Sequence, residues 1–153
     1  MALPNIFTQS VSDKLIDRIN HLTSTTTPVW GKMTVSQMMA RCNVSYEMAF
    51  EDKHPKPNFF MGFILKTFIK KALVDDITPY KKNSPTAPAF IIKEEKNFEI
   101  EKKRLVDYLK KSVELGEKYF DRKESLSFGK MSATEWNNLF YKHIDHHLMQ
   151  FGV

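Results

Sequence analysis

Two histidines, His143 and His147, stand four residues apart near the end of the sequence and are its most suggestive chemical feature. The segment around them predicts a helix, and residues four apart on a helix lie on the same face. Two imidazoles placed in this way can share a divalent metal ion. Phe140 and Phe151 flank this face, which is therefore expected to point inward, and His146 lies partly on the same side. The spacing is also common in histidines that only pack, and a metal site needs at least three protein ligands.

The helix that carries these histidines is one of five that the spacing of apolar residues predicts, and no segment shows the sustained alternation typical of strands. The predicted helices cover residues 10–22, 34–50, 58–74, 94–118 and 132–153. Two of them begin with a capping box, in which a Thr or Ser and the residue three positions later satisfy each other's backbone amides. These pairs are Thr34 with Gln37 and Ser132 with Glu135. Residues 78–89 contain three prolines and predict a loop.

Helices without strands must bury their apolar stripes against one another, so the predicted fold class is all-α, with a helical bundle as its architecture. The second and fourth predicted helices are some forty residues apart in the chain. That separation is too long for a tight hairpin and predicts a long, partly helical crossover between core helices 2 and 3. The length predicts a single domain over residues 1–153.

Composition and charge narrow the classes of function. Apolar residues make up 42% and charged residues 27% of the chain, as in ordinary globular proteins. The formal net charge is +5, but the charge is spread and no nucleic-acid-reading motif accompanies it, so we expect no nucleic-acid partner. Cys42 is the only cysteine, which excludes an internal disulfide and a thiolate-rich metal site. With no signal-peptide pattern at the start, these features predict a cytoplasmic protein.

The third predicted helix, residues 58–74, is rich in Phe, Met, Ile and Leu. It is too short and too charged to cross a bilayer, so no transmembrane segment is predicted. Its wide apolar face could have one of three roles. It could pack over the bundle, form a homodimer contact or bind to a membrane surface.

Four stretches of the sequence carry a family resemblance. They are Trp30-Gly-Lys-Met-Thr34, Gln37-Met-Met-Ala40, Phe128-Gly-Lys-Met131 and Tyr141-Lys-His-Ile-Asp-His-His-Leu-Met-Gln-Phe-Gly152. Together they resemble an uncharacterised family of the DinB-like, or YfiT-like, superfamily of metalloenzyme type, over nearly the whole chain. The resemblance implies a four-helix core and a divalent-metal site, for zinc, nickel, manganese or iron. It also implies an activity such as that of a metal-dependent thiol transferase or a hydrolase.

The same resemblance implies three histidine ligands, of which this sequence has two. His143 and His147 match the pair on the last core helix, but the position of the third ligand, on the second helix, holds Arg41. A guanidinium has no lone pair to donate, and its charge opposes a nearby cation. The sequence therefore predicts an altered or lost metal site. Other possible ligands outside the family's pattern are Cys42, Glu47, His54 and His146.

Two further functions remain as alternatives. Arg41 facing two imidazoles could form a metal-free site for a small anionic ligand, held by paired hydrogen bonds. In the ordinary alternative, Arg41 pairs with a carboxylate or reaches solvent. The chain could instead be an interaction or dimerisation protein that uses residues 59–74. Trp30 and Trp136 are predicted to be packing residues.

Overall fold

The structure, a computed structural model, describes residues 2–153 and is mostly helical, which agrees with the all-α class that the sequence predicts. Its helices are α1 (Gln9–Asn20), α2 (Val35–Phe50), α3 (Phe59–Ile64), α4 (Lys70–Val74), α5 (Phe98–Phe120) and α6 (Ala133–Gln150). A π-helical turn, Leu65–Ile69, joins α3 to α4, and a 3₁₀ turn covers Pro88–Phe90. Two short strands, β1 (Lys123–Ser125) and β2 (Gly129–Met131), lie between α5 and α6.

Both predicted capping boxes are present and start the helices that carry the candidate site. At the start of α2, the amide of Gln37 donates to Thr34 Oγ1 over 3.2 Å, and the amide of Thr34 donates to Gln37 Oε1 over 3.0 Å. At the start of α6, the corresponding bonds between Ser132 and Glu135 are 3.2 and 2.9 Å. Two otherwise unpaired amides are thereby satisfied at each helix start. The predicted starts of these helices are confirmed.

The fourth predicted helix begins later than the sequence suggests. It starts at Phe98 rather than Glu94, because Asn97 caps it by accepting a 3.0 Å hydrogen bond from the amide of Ile100. Gly116, with φ of +66°, interrupts the helix, and the helical residues then continue to Phe120. This left-handed backbone conformation is readily adopted by glycine and is strained for other residues.

The prediction that the chain has no strands is wrong. β1 and β2 pair antiparallel, with Lys123 opposite Met131 and Ser125 opposite Gly129. Each strand has only three residues, which is too short for an alternating pattern to be recognised. Gly129 has φ of +68°, and Ser125 Oγ accepts the amide of Phe128, which closes the tight connection between the strands.

The core lies among the four longest helices. Both α5 and α6 contact α1 and α2, and α5 and α6 contact each other. Aromatic rings fill the centre, where Tyr46 of α2 stacks on Phe140 of α6 with ring centroids 4.5 Å apart. Phe120 and Trp136 extend this aromatic cluster, and Trp136 is thus confirmed as a packing residue. The buried cluster brings α2 and α6 side by side.

The segment between α2 and α5 is the predicted partly helical crossover, and it packs on α6. Asn58 caps α3 by accepting the amide of Met61 over 2.8 Å. At the other end, Lys142 of α6 donates to the carbonyls of Ala72 and Asp75 over 2.8 and 2.9 Å. Asn138 of α6 donates to the carbonyl of Val74 over 2.8 Å. No helix within residues 2–153 is long and apolar enough to cross a membrane.

Candidate functional site

A cavity of about 1080 Å³ lies between α2, α6 and the crossover segment. Its wall includes Arg41, Ser45 and Met48 from α2; Leu139, His143, His146, His147 and Gln150 from α6; Trp30 and Met33 from the loop before α2; Leu65, Ile69, Leu73, Tyr80 and Phe90 from the crossover; and Leu126 and Phe128 from the hairpin. The guanidinium and the imidazoles come from α2 and α6. The crossover supplies most of the apolar residues together with several polar ones, which are Thr78, Tyr80, Lys81, Asn83, Ser84 and Thr86. The cavity therefore has one wall of imidazoles with a guanidinium and another of mixed, mostly apolar, character.

His143 and His147 lie on the inward face of α6, as the sequence predicts. They are 8% and 3% exposed, and their ring centroids are 4.9 Å apart with the ring planes nearly perpendicular. His146, the residue before His147, also lines the cavity. Its ring contacts Trp30 edge to face, with ring centroids 5.8 Å apart. Asp145 points elsewhere and pairs with Arg18 over 2.7 Å.

Gln150 fixes the tautomer of His147. The amide nitrogen of Gln150 donates to the carbonyl of Trp30 over 3.0 Å, so its oxygen faces His147 Nδ1 at 2.8 Å. An amide oxygen only accepts, so Nδ1 of His147 carries the proton. Nε2 of His147 is then unprotonated and keeps its lone pair. His143 Nδ1 has a comparable neighbour, Ser45 Oγ, at 2.7 Å.

Both histidines are neutral at ordinary pH. Burial is the main cause that lowers the pKa of His143 well below its usual value, and it lowers the pKa of His147 to about 4. The positive charge of Arg41 adds to both shifts. The pKa of His146 is also lowered, first by burial and then by Arg41. The guanidinium of Arg41 thus lies beside uncharged imidazoles, and Lys32 and Lys81 add positive charge elsewhere in the cavity wall.

Arg41 lines the same cavity as the two histidines, so the structure brings together all three residues of the predicted site. One terminal nitrogen, Nη1, donates to the carbonyl of Phe90 over 3.2 Å. Its Nε is buried and has no hydrogen-bond partner within residues 2–153. The ordinary alternative was that Arg41 pairs with a carboxylate or reaches solvent. Its first half is wrong, since no such ion pair exists in the part of the chain that the structure describes, and the side chain is half-buried.

Of the four other possible metal ligands that the sequence offers, one lines the cavity and three do not. His146 lines it. Cys42 is buried in the core, where Sγ lies 3.8 Å from Met38 Sδ, and burial raises the pKa of its thiol to about 12. Glu47 and His54 pair with each other over 2.7 Å, away from the cavity wall. Among residues 2–153, no group of three or more His, Cys, Asp or Glu side chains is placed to hold a metal ion.

Several aromatic residues of the site were not expected from the sequence. Trp30 was predicted to pack, but it is only half-buried and forms part of the cavity wall. Tyr80 has its ring centroid 6.4 Å from that of His143, and the edge of Phe90 meets His143 at 5.5 Å. Both lie in or beside the Pro-containing loop, where no periodic pattern exists. Aromatic residues within a polar loop are the one signal that could have identified them.

Comparison with known proteins gave no match, since no protein-family model, no curated protein and no solved structure is significantly similar to the chain. Function must therefore be inferred from the cavity itself. Its arrangement offers a half-buried guanidinium that can donate, an imidazole nitrogen that can accept, and a largely apolar wall. These groups suit binding of an amphipathic small molecule.

Proposed function

We propose that the protein is a DinB-like binding protein for a small organic anion, with the acidic group held by Arg41 beside His143 and His147. One observation carries this proposal, which is that the half-buried guanidinium of Arg41 lines a large cavity without a carboxylate partner within residues 2–153. A charged group withdrawn from water is stabilised only when it is paired and hydrogen-bonded. A ligand carboxylate or phosphate would supply both the charge and the acceptors.

The neighbouring imidazoles refine the expected ligand. His147 is held with Nδ1 protonated by Gln150, so Nε2 can accept a hydrogen bond. A ligand that carries a hydroxyl, amine or thiol close to its acidic group would satisfy this acceptor while Arg41 holds the anion. The site therefore favours a substituted acid over a simple inorganic anion.

The remaining wall indicates the character of the rest of the ligand. Leu65, Leu73, Phe90 and Phe128 present apolar side chains to the cavity. Apolar surface buried there stabilises the complex by roughly 25 cal/mol per Å². An organic anion with an aliphatic or aromatic body fits this wall better than a sugar phosphate or another polar anion.

Membership in the DinB-like superfamily is part of the proposal. It is supported by the pair of histidines on α6 and by Arg41 on α2, which line one cavity at the positions where the resemblance expects metal ligands. The crossover between α2 and α5 closes one side of that cavity, which also agrees with the resemblance. The four-helix core is proposed on the same basis.

The test is a binding series with acids and their neutral counterparts. Straight-chain and aromatic carboxylic acids, with and without a 2-hydroxyl, are expected to raise the unfolding temperature, while their methyl esters are not. Arg41→Met is expected to weaken binding ten- to hundredfold, since a hydrogen bond to a charged group contributes about 1.5–3 kcal/mol. Calorimetric titration measures the loss. Arg122→Met, which removes the same charge from an exposed site, is the matched control.

Two results would overturn the proposal. In the first, no acid in the series stabilises the native protein at millimolar concentration. In the second, Arg41→Met and Arg122→Met bind the best acid equally well, which would place the ligand away from the guanidinium.

A second candidate function, an altered metal site on His143 and His147, is favoured by the hydrogen bond from His147 to Gln150. A metal-binding histidine commonly donates its other ring nitrogen in this way, which leaves one lone pair for the ion. The residues present do not complete the three-ligand site, however, because Arg41 occupies the third position. The charge of Arg41 opposes a cation at that point.

Restoring the missing ligand tests this candidate. After exposure to zinc, nickel, manganese and iron, Arg41→His is expected to retain about one metal ion per chain, because it supplies a third neutral donor and removes the opposing charge. Elemental analysis of dialysed protein measures the ratio, and Arg41→His with His143→Ala is the control expected to be empty. If the native protein itself retains one ion per chain and loses it on His143→Ala, the metal-free proposal is wrong.

A further inference from the structure

The segment 59–68, which includes α3 and most of the π-helical turn, exposes an unusual amount of aromatic surface. Phe59 is 94% exposed, Phe60 71%, Phe63 57% and Phe68 68%. Ile77, just beyond α4, is 83% exposed. Single exposed apolar residues are common, but a concentration of them on one segment marks an interaction surface.

These exposed rings are not required by the packing of the segment. The segment continues through α4 to Val74, and the opposite side of this longer stretch supplies Leu65 and Leu73 to the cavity wall. Its end is held by Lys142 and Asn138 of α6, which bond to the carbonyls of Ala72 and Val74. One side of this stretch thus packs on the protein, and the other side has no partner within residues 2–153.

Charge identifies the kind of partner. Residues 53–74 contain five lysines and no Asp or Glu. Lys53 pairs with Glu47 and Glu51, and Lys70 pairs with Glu135. Lys56 and Lys71 are exposed and form no ion pair within residues 2–153, while the end of the Lys66 side chain lies against Gly129 of the hairpin. The unpartnered surface is therefore both aromatic and positively charged.

We propose that this surface, formed by Phe59, Phe60, Phe63 and Phe68 with Lys56 and Lys71, docks on an anionic lipid surface. Aromatic rings enter the boundary between headgroups and acyl chains, while nearby lysines are attracted to anionic headgroups. The segment is too short to span a bilayer, so it lies along the membrane plane.

A second copy of the chain fits this surface less well. A symmetric dimer brings the same patch of both subunits together, so the unpaired lysines would face one another. Like charges in contact oppose association, and no carboxylate within residues 53–74 offsets them. An anionic bilayer satisfies the charge and the aromatic rings at once.

Vesicle sedimentation tests the proposal on the full chain. The native protein is expected to bind phosphatidylcholine vesicles that contain 30% phosphatidylglycerol, to bind pure phosphatidylcholine vesicles at least about tenfold more weakly, and to be released by 0.5 M salt. Replacing Phe59→Ser and Phe60→Ser together is expected to reduce binding at least about tenfold. Ile100→Ser, which removes a 57% exposed apolar residue of α5, is the matched control.

Thermal unfolding of each variant checks that it folds, and the exposed positions predict unchanged unfolding temperatures. Binding that is equal for the native protein and the double Phe variant would overturn the proposal, as would no binding to the anionic vesicles. A native dimer that dissociates in the double Phe variant, without vesicle binding, would assign the surface to a second copy instead.

Discussion

Between pH 7 and pH 4, the free energy of unfolding is expected to fall by about 3 kcal/mol because of His147 alone. The pKa of this imidazole is about 4 in the folded protein and has its ordinary value near 6.5 in the unfolded chain. Below pH 6.5 the unfolded chain therefore binds a proton that the folded protein does not, so stability falls as the pH falls. His143, whose pKa burial also lowers well below its usual value, adds to the loss.

The titration of Glu47 does not obscure the loss of stability due to the histidines between pH 6.5 and pH 4.5. The pKa of Glu47 is lowered from its ordinary value of 4.5, although burial opposes this, because Arg104, His54 and Lys53 hydrogen-bond to it. Stability due to Glu47 is present above pH 4.5 and is lost only below that value. The decline between pH 6.5 and pH 4.5 is thus expected to report on the buried imidazoles.

Urea unfolding at half-unit steps of pH measures the decline. His147→Gln is expected to flatten the curve by the share of His147, and His21→Gln, which replaces an exposed histidine, is the matched control. A native curve that is flat between pH 6.5 and pH 4.5 would contradict the assignment of two neutral buried imidazoles.

Lys142→Met is expected to lower the free energy of unfolding by about 2–3 kcal/mol, because hydrogen bonds from a charged donor to two carbonyls and an ion pair with Asp75 are lost. The side chain of Lys142 is only 9% exposed, and its ammonium group donates to the carbonyls of Ala72 and Asp75. These carbonyls end α4 and have no helical partner of their own. Without the lysine, the end of α4 loses one of its attachments to α6, while the bond from Asn138 to the carbonyl of Val74 remains.

Hydrogen exchange locates the effect, since the amides of residues 70–75 are expected to exchange faster in Lys142→Met while those of α2 stay protected. Lys103→Met is the matched control, because Lys103 pairs with Asp107 on an exposed helix face, where an ion pair contributes little. Equal losses of stability in the two variants would show that the carbonyl contacts of Lys142 contribute nothing.

The parts of the fold that follow local rules could be predicted from the sequence. The helix starts at Thr34 and Ser132 could be predicted because a capping box depends only on residues three positions apart. The inward position of His143 and His147 follows from helical spacing and from flanking Phe residues. In both cases the determining contacts lie within one or two turns of the same helix.

The parts that depend on distant contacts could not be predicted. The position of Gln150 relative to His147 is local, but its orientation is fixed by the carbonyl of Trp30, which comes from another part of the chain. Tyr80 and Phe90 reach His143 through a loop without periodicity. The strands of the hairpin are too short to show a pattern. The cap of α5 at Asn97 was missed because the sequence before it also looks helical.

The two capping boxes also fix the rotational phase of the site. Ser45 lies eleven residues after Thr34, and His143 lies eleven residues after Ser132, and the two side chains meet at 2.7 Å. One inserted residue between a cap and its partner would turn that side chain by about 100° and shift it by about 1.5 Å along the axis. An insertion before either cap would leave this rotational phase unchanged. The cap-to-site interval therefore sets where Ser45 and His143 point, while the connections ahead of α2 and α6 are fixed by other contacts, the bond from Gln150 to the carbonyl of Trp30 and the pairing of β2 with β1.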